Sequence, residues 1–597
     1  MRKIQIITAF LLLTFTVFGQ SIKQIKADRN TYIWGEGTGN TLKKANSDAL
    51  AMIIGQISTE VESSFTLLKT EETENDESKY KESVESVVNT YSNASLRNTE
   101  QIVISNEPDA HVFRYIKRSE LHKIFEDREQ KIIGFAENGE SALEKLQIAD
   151  AIRYYYWALI LLHSHPNASS ITMTTKDGQE NYLNIWLPDQ INEILIGVDI
   201  KIAKIEDKGS YKQAILYITW NGKPVRNYDY SYFDGRNYSN IIGAKDGIGY
   251  IELSPTFDKD SGIKIKTECY FDAEAAIDNE LRDVIKEIEP IPFRDAYIKI
   301  NSANTEAITE SLVEQSSYDL NANLDDTESF ESTITKVCSA ITKDDYISVK
   351  GLFTDEGYKI YTELLQYGNA GVLSTDNLNF MSFGDKVICR FVKMKFCFSN
   401  NTRSFVEDVV FIFDNDDGKI SDITFGLDQT AVSDILKHEQ WSESVRLNLI
   451  DFMEHYKTAF ALKRLDYIES IFSDEALIIT GWMTKPKKNP EHNYYENPIV
   501  HYNRFTKNEY LKHLSYSFQS KEFINIKFND NDIRKSGKGG EVYGIQIQQD
   551  YFSSNYGDSG YLFLLIDMND TTAPVIHVRT WQPEKNPDGS IYEIGDF

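Results

Sequence analysis

The sequence predicts a multidomain α+β protein. Three observations carry that expectation. The chain has 597 residues, too many for one hydrophobic core, and length alone sets a prior of about four domains. Segments with apolar residues at helical spacing alternate with segments of strict in–out alternation. A polar stretch rich in Ser, Asn, Thr and acidic residues, 301–331, reads as a linker between them.

Composition and charge narrow the class. A hydrophobic content of 41% with 12% aromatic residues suits folded domains. The net charge of −28 repels phosphate backbones, so nucleic acid is excluded as a partner. Arg2 and Lys3 precede an apolar run over 4–18 and a passable small-residue site, Val17-Phe18-Gly19. This is the pattern of a secretory signal peptide over 1–19. No other run is long and apolar enough to span a membrane.

The elements follow in order. Tyr32, Ile33 and Trp34 read as a short strand. Gly35, Gly37 and Gly39 read as a turn. Asn40 or Thr41 then caps a helix marked by Leu42, Ala45, Ala49, Met52 and Ile53. The small Ala45 and Ala49 let that helix sit close to a sheet. Ile57, Thr59, Val61, Ser63 and Phe65 alternate with polar residues and read as a half-buried strand. Residues 69–81 form a solvated loop running into a helix. Strands are expected at 101–105 and 111–117. A helical hairpin follows: one helix is marked by Leu121, Ile124, Phe125, Ile132 and Phe135. After a break at Gly139, a capping box of Ser141 and Glu144 opens a second helix that runs to Pro166. Tyr154, Tyr155, Tyr156 and Trp157 make the second helix aromatic all round.

From 194 to 300 the pattern is β-rich. Strands are expected at 198–205, 214–219, 228–233, 249–253 and 263–270, with turns at Asn221-Gly222, Asp234-Gly235 and Asp246-Gly247. Short strands at this spacing predict a sandwich. The last 270 or so residues carry a degenerate repeat. Asp345-Tyr346-Ile347 precedes Leu352-Phe353-Thr354-Asp355-Glu356, and Asp466-Tyr467-Ile468 precedes Ile471-Phe472-Ser473-Asp474-Glu475. Hairpins are expected at 409–413 with 420–425, and at 561–566 with 575–581. An insertion over 483–502 interrupts the second copy.

Through Trp34-Gly35-Glu36-Gly37 and the run 45–65, the N-terminal part resembles the twenty-kilodalton Lpp-type lipoprotein family of bacterial envelopes. The resemblance implies an α/β domain in a Gram-negative envelope. That family is named for a lipid-modified cysteine, and none lies near the expected cleavage site, so a membrane anchor is not carried over. The β-rich segment resembles bacterial immunoglobulin-like modules. The two repeat copies resemble nuclear-transport-factor-like cone domains. The resulting order is signal peptide 1–19, Lpp-type α/β domain with helical hairpin 20–166, connector 167–193, immunoglobulin-like β-sandwich 194–300, linker 301–331, and cone-like α+β domains 332–436 and 437–597.

Candidate chemistry is sparse. The glycines 35, 37 and 39 lack the third glycine of a dinucleotide fingerprint, since position 40 is Asn. Gly557-Asp558-Ser559-Gly560 resembles a serine-protease nucleophile motif but has no matching histidine signature and reads as a hairpin tip. Asp414, Asp416, Asp417 and Gly418 recur as in a calcium loop, with glycine one position early, and read as a β-turn. Gly537, Lys538, Gly539 and Gly540 lack the P-loop Ser/Thr. His163, His165, His492, His501 and His513 lack metal-ligand spacing, so no metal or cofactor is expected. Cys269, Cys338, Cys389 and Cys397 leave open a disulfide or plain burial, although Cys389 and Cys397 are too far apart on one strand to pair with each other. The cone fold implies a pocket, for which Asp466, Tyr467, Tyr456, Asp550 and Tyr551 are the candidates.

The function expected from this reading is a non-catalytic binding or scaffolding protein of the cell envelope. Its partner would be another envelope protein, a glycan or a small ligand. Two alternatives stand beside it: a hydrolase or isomerase using the C-terminal pocket, and an assembly factor of a surface machine.

Overall fold

The computed structural model describes residues 22–66, 99–165, 167–234, 236–256, 262–300, 324, 327–376, 378–398, 403–438, 440–483, 488–489, 494–495, 500–536, 540–554, 557–582 and 590–597. The expected signal peptide, the 69–81 loop and most of the linker fall outside these residues. The chain divides into two compact units. One comprises 1–131, 163–170 and 485–497, and the other holds the rest.

In the first unit, α1 (Ile22–Ala27) precedes β1 (Tyr32–Gly39), α2 (Leu42–Thr66), β2 (Glu100–Ser105), β3 (Ala110–Lys117) and the start of α3 (Arg118–Glu144). The sheet order is β1-β3-β2. Two expectations are corrected here. The glycines do not form a turn. They lie within β1, where Gly35 pairs with Arg114, Gly37 with Val112 and Gly39 with Ala110. They are small because α2 lies directly on the strand: a Cβ on Gly37 would sit 1.9 Å from the Ala45 carbonyl oxygen, and one on Gly35 would sit 2.1 Å from that of Ala49. The segment 57–65 is not a strand either, because α2 continues through it. Ala45, Ala49, Ile53 and Ile57 are fully buried along one stripe. In sequence, 57, 61 and 65 are also four apart, so a period of two concealed a helical period of four. Thr41 caps the helix, its Oγ1 accepting from the Lys44 N–H at 3.2 Å.

The second unit contains the rest of α3 and most of α4 (Ile148–His163). The helix does not break at Gly139, and Ser141 and Glu144 cap nothing, because α3 runs through to Glu144. The chain turns instead at Leu146, which has a positive φ of 60°. Gly139 is required by packing, since a Cβ there would meet the Tyr155 ring at 2.4 Å. The expected connector also carries structure: a hairpin of β4 (Thr172–Thr174) and β5 (Glu180–Tyr182), then α5 (Leu183–Gly197).

The five expected strands of 194–300 are present as β6 (Val198–Asp207), β7 (Lys212–Trp220), β9 (Asn227–Tyr232), β11 (Ile248–Leu253) and β12 (Ile263–Thr267), and the structure adds β8 (Lys223–Pro224) and β10 (Ile241–Lys245). After α6 (Asn279–Glu287), β13 (Tyr297–Ile300) completes the order β13-β12-β9-β10-β11-β7-β6. The helix α7 (Glu328–Thr342) takes over the last residues of the expected linker. It leads to α8 (Asp355–Tyr367), β14 (Gly371–Ser374), β15 (Asn379–Phe383), β16 (Lys386–Cys397), β17 (Arg403–Asp414) and β18 (Ile420–Phe425). These strands are not a separate sheet. β17 pairs in parallel with β10, Ile241 opposite Arg403, so 13 strands join in one curled sheet.

The chain continues through α9 (Gln429–Leu436), α10 (Glu443–Ala461) and α11 (Leu465–Ser470) to β19 (Phe472–Met483). A minimal ladder follows, β20 (Lys488–Asn489) with β21 (Tyr494–Tyr495). Then come β22 (Val500–Phe505), α12 (Lys507–Gln519), β23 (Ile524–Lys535), β24 (Val542–Ser553), β25 (Gly557–Asp567) and β26 (Val575–Gln582). The second sheet has the order β22-β19-β26-β25-β24-β23. The two repeat motifs do comparable work. Phe353 bridges Ile420 in parallel at the start of β18, and Phe472 bridges Ile576 in parallel at the start of β26. The structure is therefore a mixed α+β, multidomain arrangement with large curled sheets. The four cysteines are free thiols. Among the described residues no helix is long and apolar enough to cross a membrane.

Candidate functional site

The five pocket candidates read from the sequence do not meet. Asp466 is half exposed and receives Lys359 Nζ at 3.1 Å. The Tyr467 ring stacks on His455 at 5.7 Å. Tyr456 is buried in the core of the second sheet, where Arg579 Nε donates to its hydroxyl at 3.1 Å. Asp550 is fully buried and accepts from Arg153 Nη2 at 3.2 Å and from Ser559 Oγ at 2.7 Å. Ser559 is thus tied to a carboxylate, and among the described residues no histidine partners it. The Tyr551 ring lies beneath Lys521 Nζ at 5.8 Å. Among the described residues no group of three or more His, Cys, Asp or Glu is placed to hold a metal ion.

The structure builds a cavity elsewhere, around Arg403. Tyr228 and Tyr230 on β9 are fully buried, and strand alternation turns Asp229 to the opposite face. The parallel pairing of β17 with β10 sets Arg403 within reach of that face. Arg403 Nη1 donates to Asp229 Oδ2 at 2.6 Å, and Nη2 pairs with Glu274. Phe405 and Glu407 follow Arg403 at intervals of two. Lys457 Nζ donates to Glu407 Oε2 at 2.9 Å, and Asn525 Nδ2 donates to Oε1 at 3.1 Å.

The cavity beside this clamp has a volume of about 420 Å³, within the range of small-ligand sites. One wall is aromatic: Phe398 and Phe523 stack at 4.3 Å, and Phe405 lies 5.7 Å from the first ring and 5.6 Å from the second. Phe271 and Phe552 also line the space, and the Arg403 guanidinium sits 5.9 Å from the Phe271 ring. Arg153 of α4 approaches as well, held by Asp150 at 3.1 Å and Asp550 at 3.2 Å. A smaller void of about 80 Å³ adjoins through Asp229, Arg403, Phe405 and Lys527, and it is lined by five cations and five carboxylates.

Electrostatics follow from burial and pairing. Burial works to raise the Asp229 carboxyl, but Arg403 and Lys527 outweigh it and hold the group below the usual range. In the smaller void, burial is again overridden: Lys245, Lys457 and Lys527 bring Asp428 down to about 2. Glu268 behaves differently. Burial raises its carboxyl above the ordinary value, although Oε1 accepts from the N–H groups of Tyr270 at 2.8 Å and Phe271 at 2.9 Å.

A separate cluster surrounds His455 on α10. Its Nε2 is 3.2 Å from Asp422 Oδ2, and its Nδ1 is 2.8 Å from the Asp451 carbonyl. Burial works against the imidazolium, but Asp451 and Asp422 prevail and raise its pKa to about 9. It lies among the packed helices rather than in the cavity.

Sequence reasoning passed over Arg153, Asp229, Arg403, Glu407 and Lys457. One signal was available: charged residues inside apolar runs, as in Phe405-Val406-Glu407-Asp408-Val409. Buried charges of this kind need partners. The partners lie as far apart in sequence as Asp229 and Arg403, so the pairing could not be read there.

The cavity lining contains no histidine or cysteine among the described residues. Its hydroxyls, Ser553 and Ser554, accept from Lys521 Nζ and the Glu522 N–H.

No protein-family model matches the sequence, and no curated protein matches it. Solved structures give partial likenesses. Bd1075 of Bdellovibrio bacteriovorus is 13% identical over 24% of this chain and 42% of its own length, with a TM-score of 0.18. The chain thus spans less than half the length of that protein. The beta subunit of a putative aromatic-ring-hydroxylating dioxygenase from Novosphingobium aromaticivorans is 15% identical over 23% of this chain and 86% of its own, with a TM-score of 0.17. Kfla4162 from Kribbella flavida is 11% identical over 24% and 90%, with a TM-score of 0.17. Likeness at this level carries no argument about function.

Proposed function

We propose that this chain is an exported cell-envelope protein that binds a small ligand without turning it over, in the cavity beside Arg403. The observation that carries the reading is the cavity itself: about 420 Å³ of space, walled by phenylalanines and framed by buried ion pairs that fix its shape. The export pattern of 1–19 supports the location. The Lpp-type resemblance supports an envelope setting, and we take the two repeat copies as cone-like modules after an immunoglobulin-like one. A hydrolase or isomerase reading stands as the alternative, and turnover of a bound ligand would favour it.

A thermal-shift screen of small molecules on the mature chain tests it. A true ligand raises the melting temperature by mass action, and Ala273→Trp, which fills the cavity, abolishes the shift while leaving the unliganded transition in place. A screen in which every hit survives Ala273→Trp rejects the site.

A further inference from the structure

Resting on that reading, we infer that the ligand is an organic cation, a primary ammonium or guanidinium carried on an aromatic or other apolar body. Three features of the cavity point to this class.

The first is an open acceptor. Glu268 is 9% exposed and lines the cavity. Both of its hydrogen bonds, from the N–H groups of Tyr270 and Phe271, end on Oε1. Among the described residues Oε2 has no hydrogen-bond donor. Oε2 is not among the sealed, unpartnered polar atoms of the described residues, so it is open to an N–H donor from a ligand in the cavity.

The second is the charge balance. The lining carries three cations, Arg153, Arg403 and Lys527, and five carboxylates. The two arginines are already committed, Arg403 to Asp229 and Glu274 and Arg153 to Asp150 and Asp550. Glu268, on which Arg403 also acts, faces the space with Asp272 at its rim, and Lys527 is the one lining cation not clamped in an ion pair among the described residues. Negative potential in a cleft with apolar walls concentrates cations, and the net charge of −28 adds long-range attraction of the same sign.

The third is the wall of Phe398, Phe405 and Phe523. Phenylalanine faces attract cations through the ring quadrupole and give the apolar body of the ligand a surface to cover. An aliphatic wall would supply only the second of these.

The test uses the mature full-length chain and three probes of nearly equal size: 2-phenylethylammonium, 2-phenylethanol and 3-phenylpropionate, titrated by calorimetry at low salt. The ammonium is expected to bind at least about tenfold more tightly than either of the others. Glu268→Gln should weaken the ammonium about tenfold, and Lys527→Met should strengthen it. If Glu268→Gln does not fold, Lys527→Met alone decides the sign. Tighter binding of the carboxylate, or weaker ammonium binding in Lys527→Met, overturns the cation assignment while leaving ligand binding intact. No measurable binding of any probe at millimolar concentration overturns the assignment and the ligand-binding reading together.

Discussion

The contact between β1 and α2 and the clamp around Arg403 show two opposite ways of holding elements together. The first is steric and local. Glycine and alanine remove side chains until a strand and a helix touch backbone to backbone, as at Gly37 and Ala45. The second is electrostatic and long-range: Asp229 and Arg403 are drawn together by the pairing of β10 with β17. A steric contact tolerates no added atom but places no charge at risk. A clamp leaves a buried charge exposed to failure whenever one partner is lost.

The sharpest break of that contrast is Arg403→Met. It leaves Asp229 and Glu274 buried without their cation and should destabilise the second unit by about 3–5 kcal/mol, read from the denaturant midpoint. Arg403→Lys should recover only part, because an ammonium lacks the fork that engages both carboxylates.

Next comes the His455 cluster, a clamp whose charge can be switched. The folded-state pKa of about 9 lies above the unfolded value of about 6.5. The stabilisation is therefore complete below pH 6.5 and is lost as pH rises through 9. The expected loss is on the order of 3 kcal/mol, and His455→Gln should flatten the curve of stability against pH across that window. An unchanged slope in the variant would assign the pH dependence to other groups.

Gly37→Ala probes the steric side. The new Cβ meets backbone oxygen rather than a flexible side chain, so strand and helix must separate, at a cost of about 1–3 kcal/mol. Faster hydrogen exchange across β1 and α2 is the readout. An Ala variant with wild-type protection would show that the close approach is not needed. The smallest effect belongs to the exposed pair of Lys359 and Asp466. Asp466→Asn should change stability by less than about 1 kcal/mol, and it should leave ligand binding unaltered, since neither Asp466 nor Lys359 lines the cavity.

Much of the fold was legible where a period was long and unmixed. The strands β6, β7, β9 and β11 and the paired strands β17–β18 and β25–β26 stood close to where alternation put them. Reading failed where two periods coincided. Ile57, Val61 and Phe65 satisfy both a strand and a helical stripe, and only the continuity of α2 from Ala45 resolves them. It failed also at glycine, which the sequence offers as a turn or a helix break. Gly37 and Gly139 are instead places where another backbone or the Tyr155 ring needs the room. The candidate site was hardly legible. Asp550 and Tyr551 were singled out for a pocket in the C-terminal copy, but Asp550 is locked to Arg153, nearly 400 residues earlier.

The sequence alone determined the chain's acidic character, its α+β class, most of its strands and the repeated motifs around Phe353 and Phe472. Those properties depend on composition and on neighbours a few residues apart. Tertiary structure decided that strands from the two β-rich blocks share one sheet, that Arg403 meets Asp229, and that Glu268 faces a space walled by phenylalanines. Each of these depends on pairings across large sequence separations, for which a residue's own identity supplies the need for a partner but not the partner's position.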